Sequence, residues 1–130
     1  MRTAACWLLA LAACAVASSC AQRKAPGSPA IEQPARQFVD LMAAGDFPTA
    51  TGRFDDAMKQ AMPADKLREA WGALLQKGGP FRSQSGVRTT TEQGYDVAYV
   101  TCQFANGAVD VKVVFDKAGR ISGLWFVPAR

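Results

Sequence analysis

The chain has 130 residues, a formal charge of +4 and no histidine. A chain of this length suits one domain. Without histidine, Ser–His–Asp and Cys–His catalysis and the usual zinc sites are excluded. The sequence has no Gly-rich phosphate loop, so no cofactor is predicted. It also lacks a basic stripe interleaved with aromatic residues, so no nucleic-acid partner is predicted.

The chain begins with the pattern of an export signal. Arg2 precedes an apolar run from Ala4 to Ala17, which is shorter than the about 20 apolar residues that a membrane-spanning helix needs. A basic start, an apolar middle and a small-residue end are typical of a bacterial secretory signal. The sequence therefore predicts a signal peptide over residues 1–19.

Three positions are compatible with cleavage of this signal. The segment "ASSC" ends at Cys20 and resembles the lipobox of bacterial lipoproteins. The segment "LAAC" ends at Cys14 and matches the lipobox consensus better, but it leaves only about eight apolar residues upstream. Signal peptidase I would instead cut after Ala17. We favour lipid attachment at Cys20, with Cys14 second and simple secretion third.

A lipid on Cys20 would hold the protein in the cell envelope. Each buried methylene contributes about 0.8 kcal/mol, and a bacterial lipoprotein cysteine resembles a three-chain anchor. Ala21 stands where an Asp would resemble an inner-membrane retention signal, so in a host with two membranes we expect the periplasmic face of the outer membrane. Cys102 would then be a small buried residue of a strand. A free Cys20 would instead be able to form a disulfide with Cys102.

Residues 20–34 are predicted to be a flexible tether, because they contain three prolines and few large apolar side chains. One domain follows over residues 35–130. Apolar spacing predicts a first helix from near Pro34 to Gly45, a second, short helix after an N-cap at Asp46, and a third over Pro63–Lys77. Asp55 or Asp56 would cap a further turn or two.

From Phe81 onward the apolar period changes to two, which is typical of strands. Turn signals at Gln93–Gly94, Asn106–Gly107 and Lys117–Gly119 divide the segment into four strands. Three helices followed by four strands predict an α+β domain. The helices should cover one face of a four-stranded antiparallel sheet.

The other face of this sheet is expected to be apolar. Val97, Tyr99 and Val114 point to it. The last strand adds one of two pairs: Leu124 with Phe126, or Trp125 with Val127. This is too much apolar area to remain bare in water. We therefore expect a pocket or partner face that includes Val97, Tyr99, Val114 and Trp125.

Several separated motifs resemble one bacterial family, the domain-of-unknown-function family 3887. They lie within residues 35–128 and read "GDF", "F-D-x-x-M-K", "L-x-x-x-W", "GPF", "GYDV", "V-T-C-x-F" and "GLWFVP". The resemblance implies a compact relative of the nuclear-transport-factor-2-like fold, with helices wrapped on a curved sheet. It also implies frequent association with an α/β-hydrolase domain on one chain. The family has no established catalytic residues, so the resemblance assigns none to this sequence. The present sequence has no G-x-S-x-G nucleophile motif.

Two functions remain as hypotheses. The first is a non-catalytic accessory domain whose apolar sheet face holds a small hydrophobic ligand, an envelope protein or a second copy of the chain. The alternative is a small pocket enzyme of the isomerase or hydratase type, with Asp96 or Asp110 as base and Tyr95 or Tyr99 as donor. Against the alternative, Asp110 and Lys112 also fit a solvated strand edge, and Tyr95 a residue packed beside a turn.

Overall fold

The computed structural model describes residues 29–130, so the predicted signal peptide, Cys14 and Cys20 lie outside the described residues. A short 3₁₀ turn, Pro29–Ile31, comes first. The helices are α1 (Glu32–Ala43), α2 (Phe47–Thr51), α3 (Asp56–Ala61) and α4 (Ala64–Gly78). The strands are β1 (Phe81–Glu92), β2 (Tyr95–Phe104), β3 (Gly107–Phe115) and β4 (Ile121–Pro128). Among residues 29–130, none of the helices has the length and apolar character that crossing a bilayer requires.

Helix α1 is the amphipathic helix that the sequence predicts, but it begins earlier. Ala35, Phe38 and Met42 are buried along one side of it, at helical spacing. It ends before Gly45, whose φ of +78° is the left-handed conformation that glycine adopts without steric cost. The 3₁₀ turn and the start of α1 fall within the segment predicted as tether, because Ile31 is already buried against the core.

The structure has four α-helices in this region, whereas the sequence predicted three. Asp46 caps α2 by accepting a hydrogen bond from the Thr49 amide, and Asp55 caps α3 by accepting one from the Met58 amide. Between them the backbone leaves the helical path to pair with β4. The amide of Asp55 donates to the carbonyl of Ile121 at 2.8 Å. This contact separates α2 from α3, and only the tertiary fold supplies it.

An aromatic cluster fixes α4 against the sheet. Trp71 is 4% exposed, and its ring centroid lies 5.9 Å from that of Phe81 and 5.8 Å from that of Phe104. Phe126 of β4 lies 6.2 Å away on the same centroid measure. Tilted aromatic pairs at these distances are favourable beyond their buried area. Trp71 is therefore the residue that anchors α4 in the core.

The four strands form one antiparallel sheet in the order β1-β2-β3-β4, which confirms the predicted α+β arrangement. Register irregularities occur in β1 between Phe81 and Ser83 and between Gln84 and Gly86. A third lies in the β3–β4 pairing at Val114. At such an irregularity one strand has an extra residue relative to its partner, which bends the strand and increases its twist. Because β2 and β3 are the inner strands, their backbones are hydrogen-bonded to a neighbouring strand on both sides.

Period-two alternation divides the side chains between two faces. The core face packs against the helices and includes Val100, Cys102, Val113 and Leu124. We call the opposite side the open face. The open face carries Arg88, Thr90, Glu92, Tyr95, Val97, Tyr99, Thr101, Asp110, Lys112, Val114, Gly123, Trp125 and Val127. Of the two pairs that the sequence left undecided in β4, Trp125 and Val127 thus belong to the open face.

Candidate functional site

A row of four side chains crosses the open face, one from each strand. The strand register aligns Arg88 with Tyr99, Tyr99 with Lys112, and Lys112 with Trp125. The Arg88 guanidinium carbon lies 4.6 Å from the Tyr99 ring centroid. The Lys112 Nζ lies 5.7 Å from the Tyr99 centroid and 5.4 Å from that of Trp125. Cations and aromatic rings therefore alternate across the sheet within the range of cation–π attraction.

A buried carboxylate lies beside this row. Asp110 is 0% exposed; its Oδ2 is 2.7 Å from Nη2 of Arg88, and its Oδ1 accepts a 2.6 Å hydrogen bond from the Thr101 hydroxyl. Burial by itself raises the pKa of Asp110, but the hydrogen bonds from Thr101, Arg88 and the Arg130 amide, with the Arg88 charge, bring it below its ordinary value. Asp110 is therefore ionised at neutral pH.

This placement corrects two expectations from the sequence. Asp110 and Lys112 were predicted to fit a solvated edge, but β3 is an inner strand, and β2 and β4 cover its two edges. The open face was predicted to be apolar, but it is mixed, because β1 contributes Arg88 and Glu92 to it. The alternation of "VRTTTE" in β1 contains this information. Those charged side chains were missed because the face that they share with β2 depends on the register of the β1–β2 pair.

Glu92 links two members of the row. Its carboxylate lies 3.1 Å from Nζ of Lys112 and accepts a hydrogen bond of 3.2 Å from the Tyr99 hydroxyl. The hydrogen bond to Glu92 is the main cause that raises the pKa of Lys112, and the partial burial of the ammonium opposes it. The Tyr99 hydroxyl is thus directed to Glu92. Lys112 is held as a cation between two aromatic rings.

The predicted acid–base pairs are not brought together as catalytic pairs. Both carboxylate oxygens of Asp110 are already bonded to Arg88 and Thr101. Asp96 alternates with Tyr95 along β2, so it lies on the side of the strand opposite to Tyr95 and Tyr99. Within residues 29–130, no group of three or more acidic or cysteine side chains is arranged to hold a metal ion.

A groove of about 400 Å³ lies beside the row, and we call it the aromatic groove. It is lined by Asp55, Glu92, Gln93, Tyr95, Val97, Lys112, Val114, Ser122 and Trp125. Tyr95 is 47% exposed and Trp125 is 52% exposed. In the part of the chain that the structure describes, these are the two exposed large hydrophobic side chains. Both line the same groove.

The structure divides the predicted site residues between two cavities. Val97, Val114 and Trp125 line the aromatic groove. Tyr99 instead lines a neighbouring cavity of about 340 Å³, together with Arg88 and the chain end at 127–130. Lys112 lines both cavities and so separates them. The sequence alone therefore predicted apolar residues that line the groove but not its charged rim.

The position of the Trp125 indole depends on a glycine two residues earlier in β4. A Cβ atom at Gly123 would lie 2.5 Å from Cζ3 and 2.6 Å from Cη2 of Trp125. The six-membered ring thus occupies the space over Gly123 that a side chain would fill. In the segment "GLW" the two residues share a face of β4, so this spacing is a sequence signal for an aromatic ring lying over a strand glycine.

Cys102 lies on the core face and not at the candidate site. It is fully buried and is a free thiol. Burial first, and then the charges of Asp110 and Asp40, raise the pKa of the Cys102 thiol to about 12. A thiol with this pKa is a poor nucleophile near neutral pH. This confirms the prediction that Cys102 is a small buried residue of a strand.

Comparison with known proteins places this chain in a family. The esterase EstD of Thermotoga maritima is 25% identical over 100 residues, which are 77% of this chain and 24% of the esterase. The chain therefore spans about a quarter of the length of that curated relative. No solved structure matches the chain significantly. The model of the family described as "Protein of unknown function (DUF3887)" matches residues 35–124, and the chain belongs to this family, as its motifs predicted.

Proposed function

We propose that this protein is a non-catalytic binding domain, held in the cell envelope by a lipid at Cys20, that binds its ligand in the aromatic groove. One observation carries the proposal: Tyr95 and Trp125, the two large hydrophobic side chains exposed in residues 29–130, line the same groove. Water-exposed aromatic side chains gathered in a concave surface with a few polar groups are typical of binding sites.

The chemistry of the open face supports binding over catalysis. A general base works best when its pKa lies near the operating pH and its lone pairs are free. Asp110 has a lowered pKa, and both its oxygens accept hydrogen bonds. Glu92 is engaged with Lys112 and Tyr99. These carboxylates therefore hold the open face together, and the isomerase or hydratase alternative has no free base among them.

The relative EstD supports an accessory role. The matched segment makes up 24% of that esterase, so most of the esterase lies outside the shared domain. We infer that the domain contributes binding to catalytic neighbours in such proteins and has the same binding role in this chain. We assign the domain to the compact nuclear-transport-factor-2-like folds, with the bulges of β1 providing the curvature of the sheet.

The lipid anchor is proposed from the sequence pattern around Cys20. With Ala21 after the cysteine, the proposed location is the periplasmic face of the outer membrane. Mass spectrometry of the mature N-terminus tests this directly. We expect a triacylated Cys20, and the variant Cys20→Ser should move the protein from the membrane fraction to the soluble fraction. An unacylated chain that begins at another residue would contradict the anchor.

Binding in the aromatic groove is tested by comparing what wild type and variants retain. Trp125→Ala and Tyr95→Ala remove one aromatic wall each, and the control Gln76→Ala changes an exposed residue of α4 outside the groove. Each protein is purified from envelope extracts in detergent, and the retained compounds and proteins are identified by mass spectrometry. We expect a compound, an envelope protein or a second copy of the chain that the wild type and Gln76→Ala retain and the groove variants lose. The same retained set in all four proteins would refute the groove.

A further inference from the structure

The aromatic groove combines ring surfaces with hydrogen-bonding groups of both kinds. Tyr95 and Trp125 supply the ring surfaces, and Val114 adds aliphatic lining, whereas Val97 borders the groove but is buried. The polar lining consists of Asp55, Glu92, Gln93, Lys112 and Ser122. Carboxylates only accept hydrogen bonds, an ammonium only donates, and amide and hydroxyl groups do both. A ligand that fits must therefore have apolar faces and many groups that both donate and accept.

The charges of the groove argue against an ionic ligand. Lys112 and Glu92 neutralise each other at 3.1 Å, and Asp55 adds one carboxylate, whose Oδ1 accepts from the Met58 amide. An organic cation at Trp125 would be repelled by the Lys112 ammonium, which lies 5.4 Å from the ring centroid. An anion would be repelled by the carboxylates of Asp55 and Glu92. The arrangement therefore favours a ligand without net charge.

From these observations we propose that the aromatic groove binds neutral saccharides. The C–H faces of sugar rings stack on Trp125 and Tyr95, because C–H groups are attracted to the negative face of an aromatic ring. The sugar hydroxyls donate to Glu92 and Asp55 and accept from Lys112. The groove volume of about 400 Å³ falls in the lower range of small-ligand pockets. The inference rests on the proposed binding function of the groove and names its ligand class.

Isothermal titration calorimetry on the full chain tests the proposal. The protein is kept in a polyoxyethylene detergent, because sugar-headed detergents would compete for the groove. The neutral probes are cellotetraose, maltotetraose, xylotetraose and the N-acetylglucosamine tetramer. Choline represents organic cations, and tetragalacturonate represents anionic saccharides. We expect at least one neutral tetramer to bind more tightly than choline and tetragalacturonate.

Variants link this binding to the groove. Trp125→Ala should weaken the affinity for the tetramer by at least about tenfold, which corresponds to about 1.4 kcal/mol of binding free energy. Trp125→Phe keeps a ring and should restore part of the affinity, whereas Gln76→Ala should bind like the wild type. Circular dichroism confirms that each variant is folded. Because Trp125 is half exposed, these substitutions should leave the fold intact.

The outcomes separate the ligand class from the proposed function. Binding of none of the four neutral tetramers, preferred binding of choline or tetragalacturonate, or unchanged affinity in Trp125→Ala would each overturn the saccharide proposal. If envelope extracts still give a compound whose retention depends on Trp125, the groove remains a binding site for another ligand class. If retention is also independent of Trp125 and Tyr95, the proposed function itself fails.

Discussion

The two faces of the sheet use the same strands but reach burial by different means. On the core face, helices α1 and α4 cover aliphatic side chains such as Val100 and Val113, and Trp71 fills the space between α4 and the sheet. On the open face, Asp110 is just as inaccessible to water. Its carboxylate accepts hydrogen bonds from Thr101 and Arg88, and the charge of Arg88 balances it.

The difference shows what each face can do. A face closed by helices has no surface left for a ligand, so its residues contribute stability. A face covered by ion pairs and cation–π contacts retains exposed rings and hydrogen-bonding groups that can take further partners. The two described tryptophans illustrate the contrast: Trp71 is 4% exposed and Trp125 is 52% exposed. Stability should therefore depend on the core face and binding on the open face.

Truncation of Trp71 should give the largest effect on stability. Trp71→Ala removes a ring that contacts Phe81, Phe104 and Phe126 and leaves a cavity between α4 and the sheet. We expect a loss of about 3–5 kcal/mol in the free energy of unfolding. Urea unfolding followed by circular dichroism measures it. A loss similar to that of Trp125→Ala would contradict the division between the faces.

The Arg88–Asp110 pair on the open face should show an asymmetric response. Arg88→Met leaves the buried Asp110 carboxylate with only its hydrogen bonds from Thr101 and Arg130, and we expect a loss of about 3 kcal/mol. Asp110→Asn leaves Arg88, which is half exposed and can be hydrated, so the loss should be roughly 1–2 kcal/mol. Urea unfolding at pH 7 compares them, and equal losses would mean that the carboxylate is hydrated.

Alkaline pH should weaken the core face through Cys102. Burial raises the pKa of its thiol to about 12 in the folded chain. The stability contribution of the neutral thiol is complete below the unfolded-state pKa, about 8.5, and is lost as the pH rises toward the folded value. Relative to Cys102→Ala, the wild type should lose about 1.4 kcal/mol per pH unit in this window. Unfolding midpoints at pH 8 and pH 10 measure this, and parallel pH curves would refute it.

Acid should act on the open face through Asp110. The folded-state pKa is below the ordinary value, chiefly through the hydrogen bonds from Thr101 and Arg88 that outweigh burial. The contribution of the carboxylate is therefore present above the unfolded-state pKa of about 3.9 and is lost as the pH falls through the folded value. The stability difference between wild type and Asp110→Asn should shrink below pH about 4. A constant difference down to strongly acidic pH would indicate a carboxylate that does not titrate there.

Truncation of Trp125 should have the smallest effect on stability. The indole is half exposed, and its cation–π contact with Lys112 lies at the surface. We expect Trp125→Ala to cost at most about 1 kcal/mol. Acrylamide should quench the fluorescence of Trp125 more readily than that of Trp71, which single-tryptophan variants can separate. A large destabilisation would mean that Trp125 belongs to the core.

Local features of the fold were predicted well from the sequence because their causes are local. Asp46 and Asp55 cap helices through amides three residues ahead, and Gly45 ends α1 by its backbone conformation. The turn after Phe104 follows from "NG" between two apolar runs. Each of these depends only on residues within one or two turns of chain. The family could also be predicted, from motifs spread along residues 35–128.

The candidate site was predicted only in part. Val97, Val114 and Trp125 follow from alternation within β2, β3 and β4, and they do line one groove. The placement of Tyr99 in the neighbouring cavity depends on where the Lys112 side chain lies between them. The helix count differs because Asp55 bonds to Ile121, a residue far along the chain. These are contacts between distant segments, for which the sequence has no local signal.

The sequence by itself determined the α+β order, the helix caps, the alternation of each strand and the family, because propensity, capping and period act over a few residues. Only the tertiary structure decided the register between neighbouring strands, and therefore which charges meet. It brought Arg88 to the buried Asp110 and Glu92 to Lys112, and turned an expected apolar surface into a mixed groove. The physical reason is that a carboxylate can be buried in a sheet only where a partner strand supplies the opposite charge and the hydrogen bonds.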